Sequence, residues 1–99
     1  MKIAKVVGNV VSTIKDRRFK GYKLMIVEYL DLDGKPQGVR HIALDGANAG
    51  IGDIVLTNND GGAAVMVMED KELIADDTIA GVIDYYTVDG CTKTAKDLY

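Results

Sequence analysis

"LDGANAGIGDIVLT", Leu44 to Thr57, sets Gly46, Gly50 and Gly52 with Asn48 and two alanines between Asp45 and Asp53, then runs into Ile54-Val55-Leu56. Backbone this bare of side chains turns where a Cβ would clash, or approaches something closely. The approach is to a phosphate, to the chain's own neighbouring strand, or to another copy of the protein. A phosphate fits worst. The stretch has no lysine followed by Ser or Thr, its glycines are not spaced G-x-G-x-x-G, and a strand follows where a nucleotide fold needs a helix. The loop therefore joins two strands, and the fold is built on β structure.

The flanking sequence reads the same way. Residues 3 to 14 put Ala4, Val6, Gly8, Val10 and Ile14 on one face, with Ile3, Val7 and Val11 on the other among Lys5, Asn9 and Thr13. Residues 22 to 32 put Leu24, Ile26, Leu30 and Leu32 on one face, interrupted by Glu28, and Met25, Val27 and Tyr29 on the other. One clean apolar face and one half-apolar face are what a sheet buried on two sides produces. "DLDGKPQG" (31–38) is a turn, with Asp33-Gly34 the strongest hairpin signal. Strands follow over 39–44 and 53–58, and "NNDGG" (58–62) breaks the chain again. "AAVMVMEDKELIA" (63–75) favours a short helix by propensity. A last strand is expected over 79–88, and the polar stretch from Asp89 as a peripheral tail. The sum is a mainly β fold, a small five-stranded OB-like barrel over residues 1–88 with one short helix before its last strand. An antiparallel sandwich is the alternative.

The totals bound the function. Ninety-nine residues make one domain, large enough for a single core but not two. A formal charge of −3 and a pI of 5.0 argue against broad nucleic-acid binding, which needs a basic excess. No apolar run approaches the ~20 residues that span a bilayer, so no membrane is expected. The alternating N-terminus reads as a strand and not a signal peptide. Cys91, the single cysteine, forms no internal disulfide, and the expectation is a cytoplasmic protein.

Chemistry is sparse. His41 is the only histidine and Ser12 the only serine, and no nucleophile motif surrounds either. His41 is read as structural or interfacial. One Cys and one His about fifty residues apart lack zinc-ligand spacing, so no metal site is expected. The aspartates sit mostly at strand ends and turns, where they cap backbone. Glu28, mid-strand, is either a partly exposed residue near a barrel rim or a carboxylate paired with a basic residue of a neighbouring subunit. Lys15, Arg17, Arg18, Lys20 and Lys23, with Phe19 and Tyr22, form the one basic stretch. It reads as solvated loop charge or as a contact for an acidic partner. A small barrel has one interior, so a second apolar strip bearing Met25, Val27 and Tyr29 is expected to be covered by self-association.

Four blocks then align with a known pattern: "MKIAKVVGNVVSTIK", "GYKLMIVEYLDLDGKPQG", "ALDGANAGIGDIVLT" and "DDTIAGVIDYYTV". In order and spacing, over residues 1 to about 88, they resemble the EutN/CcmL family of bacterial microcompartment vertex proteins. The resemblance implies an OB-like barrel assembled as a cyclic homopentamer that caps shell vertices among hexagonal shell proteins, with no catalysis and no cofactor. It departs at Asn48, where the family has glycine and asparagine also tolerates left-handed backbone. It also departs at Gly61-Gly62-Ala63-Ala64-Val65, where the family's Ser-Ser-Ala-Arg-like stretch is missing and Lys71 is a candidate replacement. On this reading Asp45, Gly46, Asn48, Gly50, Gly52 and Asp53, with Met25, Val27, Glu28 and Tyr29, lie at a subunit seam or the five-fold axis. Lys15, Arg17, Arg18 and Lys20 meet adjacent shell tiles. Two competing readings stand beside it: an OB module binding single-stranded nucleic acid through 15–23 and Tyr29, and a small enzyme or ligand carrier centred on His41 and Glu28.

Overall fold

The structure, a computed structural model, describes residues 1–11, 22–59, 77–95 and 98. Seven strands run in chain order: β1 (Lys2–Val10), β2 (Leu24–Leu30), β3 (Pro36–Asp45), β4 (Ile54–Asn58), β5 (Thr78–Val82), β6 (Tyr85–Val88) and β7 (Cys91–Thr94). The first five close into a barrel in the order β1-β2-β3-β5-β4, and β6-β7 form a separate two-stranded sheet. All barrel neighbours are antiparallel except β3 and β5, which pair in parallel at Leu44↔Thr78 and Asp45↔Ile79. The five-stranded closed barrel is the expected fold. The expected helix at 63–75 and the basic residues Lys15, Arg17, Arg18 and Lys20 lie outside the described residues.

The barrel interior corrects the facing of β2. Met25 (5% exposed), Val27 (0%) and Tyr29 (4%) point inward and pack with Ala4, Val6, Ala43, Val55 and Ile79. They are core, not a strip left for a neighbouring copy. The registers Ala4↔Tyr29 and Val6↔Val27 enforce this, because opposed residues of adjacent strands share a face. Glu28 interrupts the other face, so the unbroken apolar alternation at 25, 27 and 29 is the one that fills the interior. A bulge between Val6 and Gly8 then shifts the register of β1 against β2, bending the strand as a small barrel requires.

The outward apolar strip is partly covered by the chain itself. Leu30, Ile54 and Leu98 form a second buried cluster, flanked by Ile3, Ile83 and Tyr86. Leu98 lies against the Cα of Gly34, whose φ of +83° already excludes most side chains. Gly34 ends the β2–β3 turn: its N–H donates to Asp31 O at 3.0 Å, and Asp31 Oδ1 accepts from the N–H groups of Asp33 and Lys35 at 2.9 Å each. The expected hairpin signal is thus a real turn.

The single strand read over 79–88 is two. Ile83 and Asp84 interrupt it, and Ile83 N–H donates to Ile54 O at 2.8 Å. The stretch read as a tail contributes β7, joined to β6 by Asp89 (φ 51°) and Gly90 (φ 78°). Positive φ at both central residues defines the type I′ hairpin that Asp-Gly favours. Tyr86 OH donates to Leu32 O at 2.7 Å and anchors the hairpin to the β2–β3 turn.

Candidate functional site

The glycine-rich loop is held from within by its two aspartates. Asp45, whose side chain is fully buried, accepts through Oδ1 from Ala47 N–H (3.0 Å) and Ala49 N–H (3.1 Å), and through Oδ2 from Ala49 N–H (2.9 Å). Lys23 Nζ sits 3.2 Å from Asp45 Oδ2 and also donates to Asn48 Oδ1 (3.2 Å) and Ala49 O (3.4 Å). One lysine therefore ties the loop to the entry of β2. Asp53 Oδ2 accepts from Gly50 N–H at 2.8 Å, and Asp53 N–H donates to Gly50 O at 3.1 Å. That closes a turn with Gly52 at φ +96°, a conformation of the type II turn that only glycine or asparagine enters readily. Asn48 takes the left-handed region at φ 54°, as its replacement of glycine anticipated.

The close approach is to the chain's own strand. Gly52 N–H donates to Val6 O at 2.8 Å, and Val6 N–H donates to Asp53 O at 2.9 Å. Gly46 N–H reaches Ile79 O at 3.1 Å. The loop's rim faces outward: Gly50 and Gly52 are exposed, and Ile51 is 64% exposed. So Asp45, Gly46, Asn48, Gly50, Gly52 and Asp53 do converge on one corner, packed against β1 and β5.

Glu28 is buried (6% exposed), which corrects its reading as a partly exposed rim residue. Its Oε1 lies 3.5 Å from Arg40 Nε on the paired strand β3, while Oε2 has no hydrogen-bond partner among the described residues. The basic partner at hand is therefore in the same chain.

One polar cluster escaped the sequence reading. Asp77, 4% exposed, accepts through Oδ2 from Tyr29 OH at 2.9 Å, and His41 Nδ1 lies 3.2 Å from the same oxygen. The His41 ring stacks on Tyr29 (centroids 4.8 Å apart, planes 18°), and Lys2 Nζ stands 4.7 Å from the Tyr29 centroid. With Gln37, Val39 and Asn59 these groups line a cavity of about 440 Å³. The cluster sits where the β3–β5 ladder ends, so His41 and Asp77 act as a clasp between β3 and the start of β5. Thirty-six positions separate the two residues, and no local pattern links them; only barrel closure does. His41 here makes a structural contact, one of the two roles, structural or interfacial, read from the sequence.

Burial pushes the Tyr29 phenol up to about 12, helped by its hydrogen bond to Asp77 and by that carboxylate's charge. The folded state holds the Tyr29 proton more tightly than the unfolded chain, so this contribution to stability is complete below pH 10. It is lost as pH rises from 10 to about 12. Tyr29→Phe is expected to abolish that loss; denaturation midpoints of both proteins measured across this range check it, and identical slopes would refute it.

The geometry holds a closed barrel and a self-braced loop, and among the described residues it assembles no nucleophile. Among the described residues, no cluster of three or more His, Cys, Asp or Glu is placed to hold a metal. Comparison with known proteins gives the context. The family model described as ethanolamine utilisation protein EutN/carboxysome matches residues 1–84. The chain is similar to the carboxysome shell vertex protein CcmL of Nostoc sp. (strain PCC 7120), 34% identical over 100 aligned residues, covering 100% of this chain and 99% of the relative. Among solved structures, CcmL of Gloeobacter violaceus superposes with a TM-score of 0.87 at 32% identity, over 97% of this chain and 99% of that one. The GrpN pentameric microcompartment shell protein from Rhodospirillum rubrum superposes with a TM-score of 0.77 at 32% identity, over 89% and 99%.

Proposed function

The chain belongs to the EutN/CcmL family, and from that premise we propose that it is a shell protein that closes the vertices of a bacterial microcompartment as a homopentamer. The observation that carries this reading is similarity along the whole barrel to relatives that are themselves vertex or pentameric shell proteins. The role is structural and not enzymatic. A sheet of hexagonal tiles is flat and closes only where five-fold units are inserted, and a cyclic ring needs head-to-tail contacts that close at five. Its partners are further copies of itself and the hexagonal shell proteins around it, with the acidic-partner reading of Lys15, Arg17, Arg18 and Lys20 assigned to that contact. The nucleic-acid reading is not favoured.

Native mass spectrometry of the purified protein tests the reading. A species of five chains is expected, and a monomer at micromolar concentration would overturn it. The outward rim of the glycine loop belongs to the seam or the axis on this reading. Among the described residues other than its two chain neighbours, a Cβ at Gly50 would meet nothing nearer than Asp53 Oδ2 at 3.8 Å. Gly50→Val is therefore expected to leave the barrel folded, by far-UV circular dichroism, yet to weaken the pentamer. An unchanged pentamer would remove this loop from the seam.

A further inference from the structure

The inward columns of the barrel change character at one end. On β1 the column runs from Val6 through Ala4 to Lys2, and on β2 from Met25 through Val27 to Tyr29. On β3 it passes from Ala43 to His41, opposite Met25 and Val27. From β4 it continues through Val55 and Thr57 to Asn59, and at the start of β5 Asp77 stands two places before Ile79. Inward positions of a strand recur every second residue, so each of the five strands delivers a polar or titratable side chain to the same rim. Beneath it Ala4, Val27, Ala43, Val55 and Ile79 are buried in one apolar cluster, which Ala49 of the glycine loop also joins. Apolar side chains would close such a rim at less cost, because a polar group taken from water needs a partner.

The rim encloses the cavity of about 440 Å³ lined by Lys2, Gln37, His41, Asn59 and the Tyr29–Asp77 pair. Small-molecule sites span roughly 300–1,000 Å³ and occur in the mouths of β-barrels. The one carboxylate is already engaged: Asp77 Oδ2 accepts from Tyr29 OH and faces His41 Nδ1. What remains is mainly donors. Among the described residues Lys2 Nζ forms no ion pair and stands over the Tyr29 ring. Gln37 and Asn59 bring side-chain amides to the same cavity, and His41, with Nδ1 turned to Asp77, keeps Nε2 for a ligand. A cation is disfavoured, because Lys2 already holds the Tyr29 ring that would attract it. An ammonium and two amides converging on one cavity suit the oxygens of an anion.

We propose that this mouth binds a small oxyanion, either a carboxylate or an inorganic oxyanion, through Lys2, Gln37, Asn59 and His41 Nε2. Asp77 and Tyr29 hold the imidazole in place. The site lies within one chain and does not depend on the homopentamer reading.

Isothermal titration calorimetry of the assembled protein in Tris chloride, with sodium phosphate and sodium acetate in separate runs, tests it. Saturable binding at one site per chain is expected for at least one anion; phosphate alone marks an inorganic oxyanion site, and acetate alone a carboxylate site. Lys2→Gln and His41→Gln are each expected to weaken that binding about tenfold or more, the loss of a hydrogen bond to a charged group. Lys35→Gln, in the exposed β2–β3 turn, is expected to bind as wild type does. Far-UV circular dichroism checks the folding of each variant. Lys2 is an exposed residue, so Lys2→Gln decides alone if His41→Gln unfolds. No saturable binding of either anion overturns the site. Undiminished affinity in the folded variants overturns it too, as does saturable binding of ethylammonium in place of both anions.

Discussion

Asp45→Ala is expected to be severely destabilising, lowering the unfolding free energy by about 3 kcal/mol, with a fall of about 12 °C or more in the midpoint for a domain this size. The carboxylate is fully buried and accepts three hydrogen bonds from the backbone of Ala47 and Ala49, with Lys23 alongside. Removing it strands those donors and leaves the lysine without its main counter-charge. A buried donor left unsatisfied costs more than the bond itself contributed, which is why truncation exceeds the net worth of the interaction. Asp45→Asn keeps one acceptor oxygen, so a smaller loss is expected. Urea denaturation at matched protein concentration measures both, since assembly makes apparent stability concentration-dependent. Equal, small effects for the two variants would refute the bracing role.

Met25→Ala is the second. Deleting a buried methionine side chain from a packed core costs about 2–5 kcal/mol, through lost transfer energy and the cavity left behind. Met25 is 5% exposed and packs inside the barrel, so the loss is expected in the subunit's own unfolding and not in its association. Native mass spectrometry is expected to show the wild-type stoichiometry while the denaturation midpoint falls. Dissociation without loss of subunit stability would return Met25 to an interface.

The facing of β2 shows what a strand's alternation leaves open. Both faces of residues 24 to 30 are apolar, and hydropathy alone did not say which fills the barrel. The deciding signal was Glu28, which breaks the face bearing Leu24, Ile26 and Leu30. The face opposite Ala4 and Val6 is the unbroken one. The C-terminal hairpin carried a readable signal too. Asp89-Gly90 is the same dipeptide as Asp33-Gly34, and its polar flanks Thr87, Thr92 and Thr94 hid a strand pair that buries little. The Tyr29–His41–Asp77 cluster had no such signal, because its members come from three segments that only closure brings together.

The sequence by itself determined the β architecture, the barrel class, the turn at Asp33-Gly34 and the strand-joining nature of residues 44 to 57. Those follow from local alternation, from the φ demands of glycine and asparagine, and from a family pattern spread along the chain. The tertiary structure decided which face of β2 is core. It decided that Leu98 and Tyr86 cover part of the outer strip in the same chain, and that the loop's close approach is to β1 through Val6. These depend on register and on contacts between distant segments, where burial and hydrogen bonding are settled only once the barrel has closed.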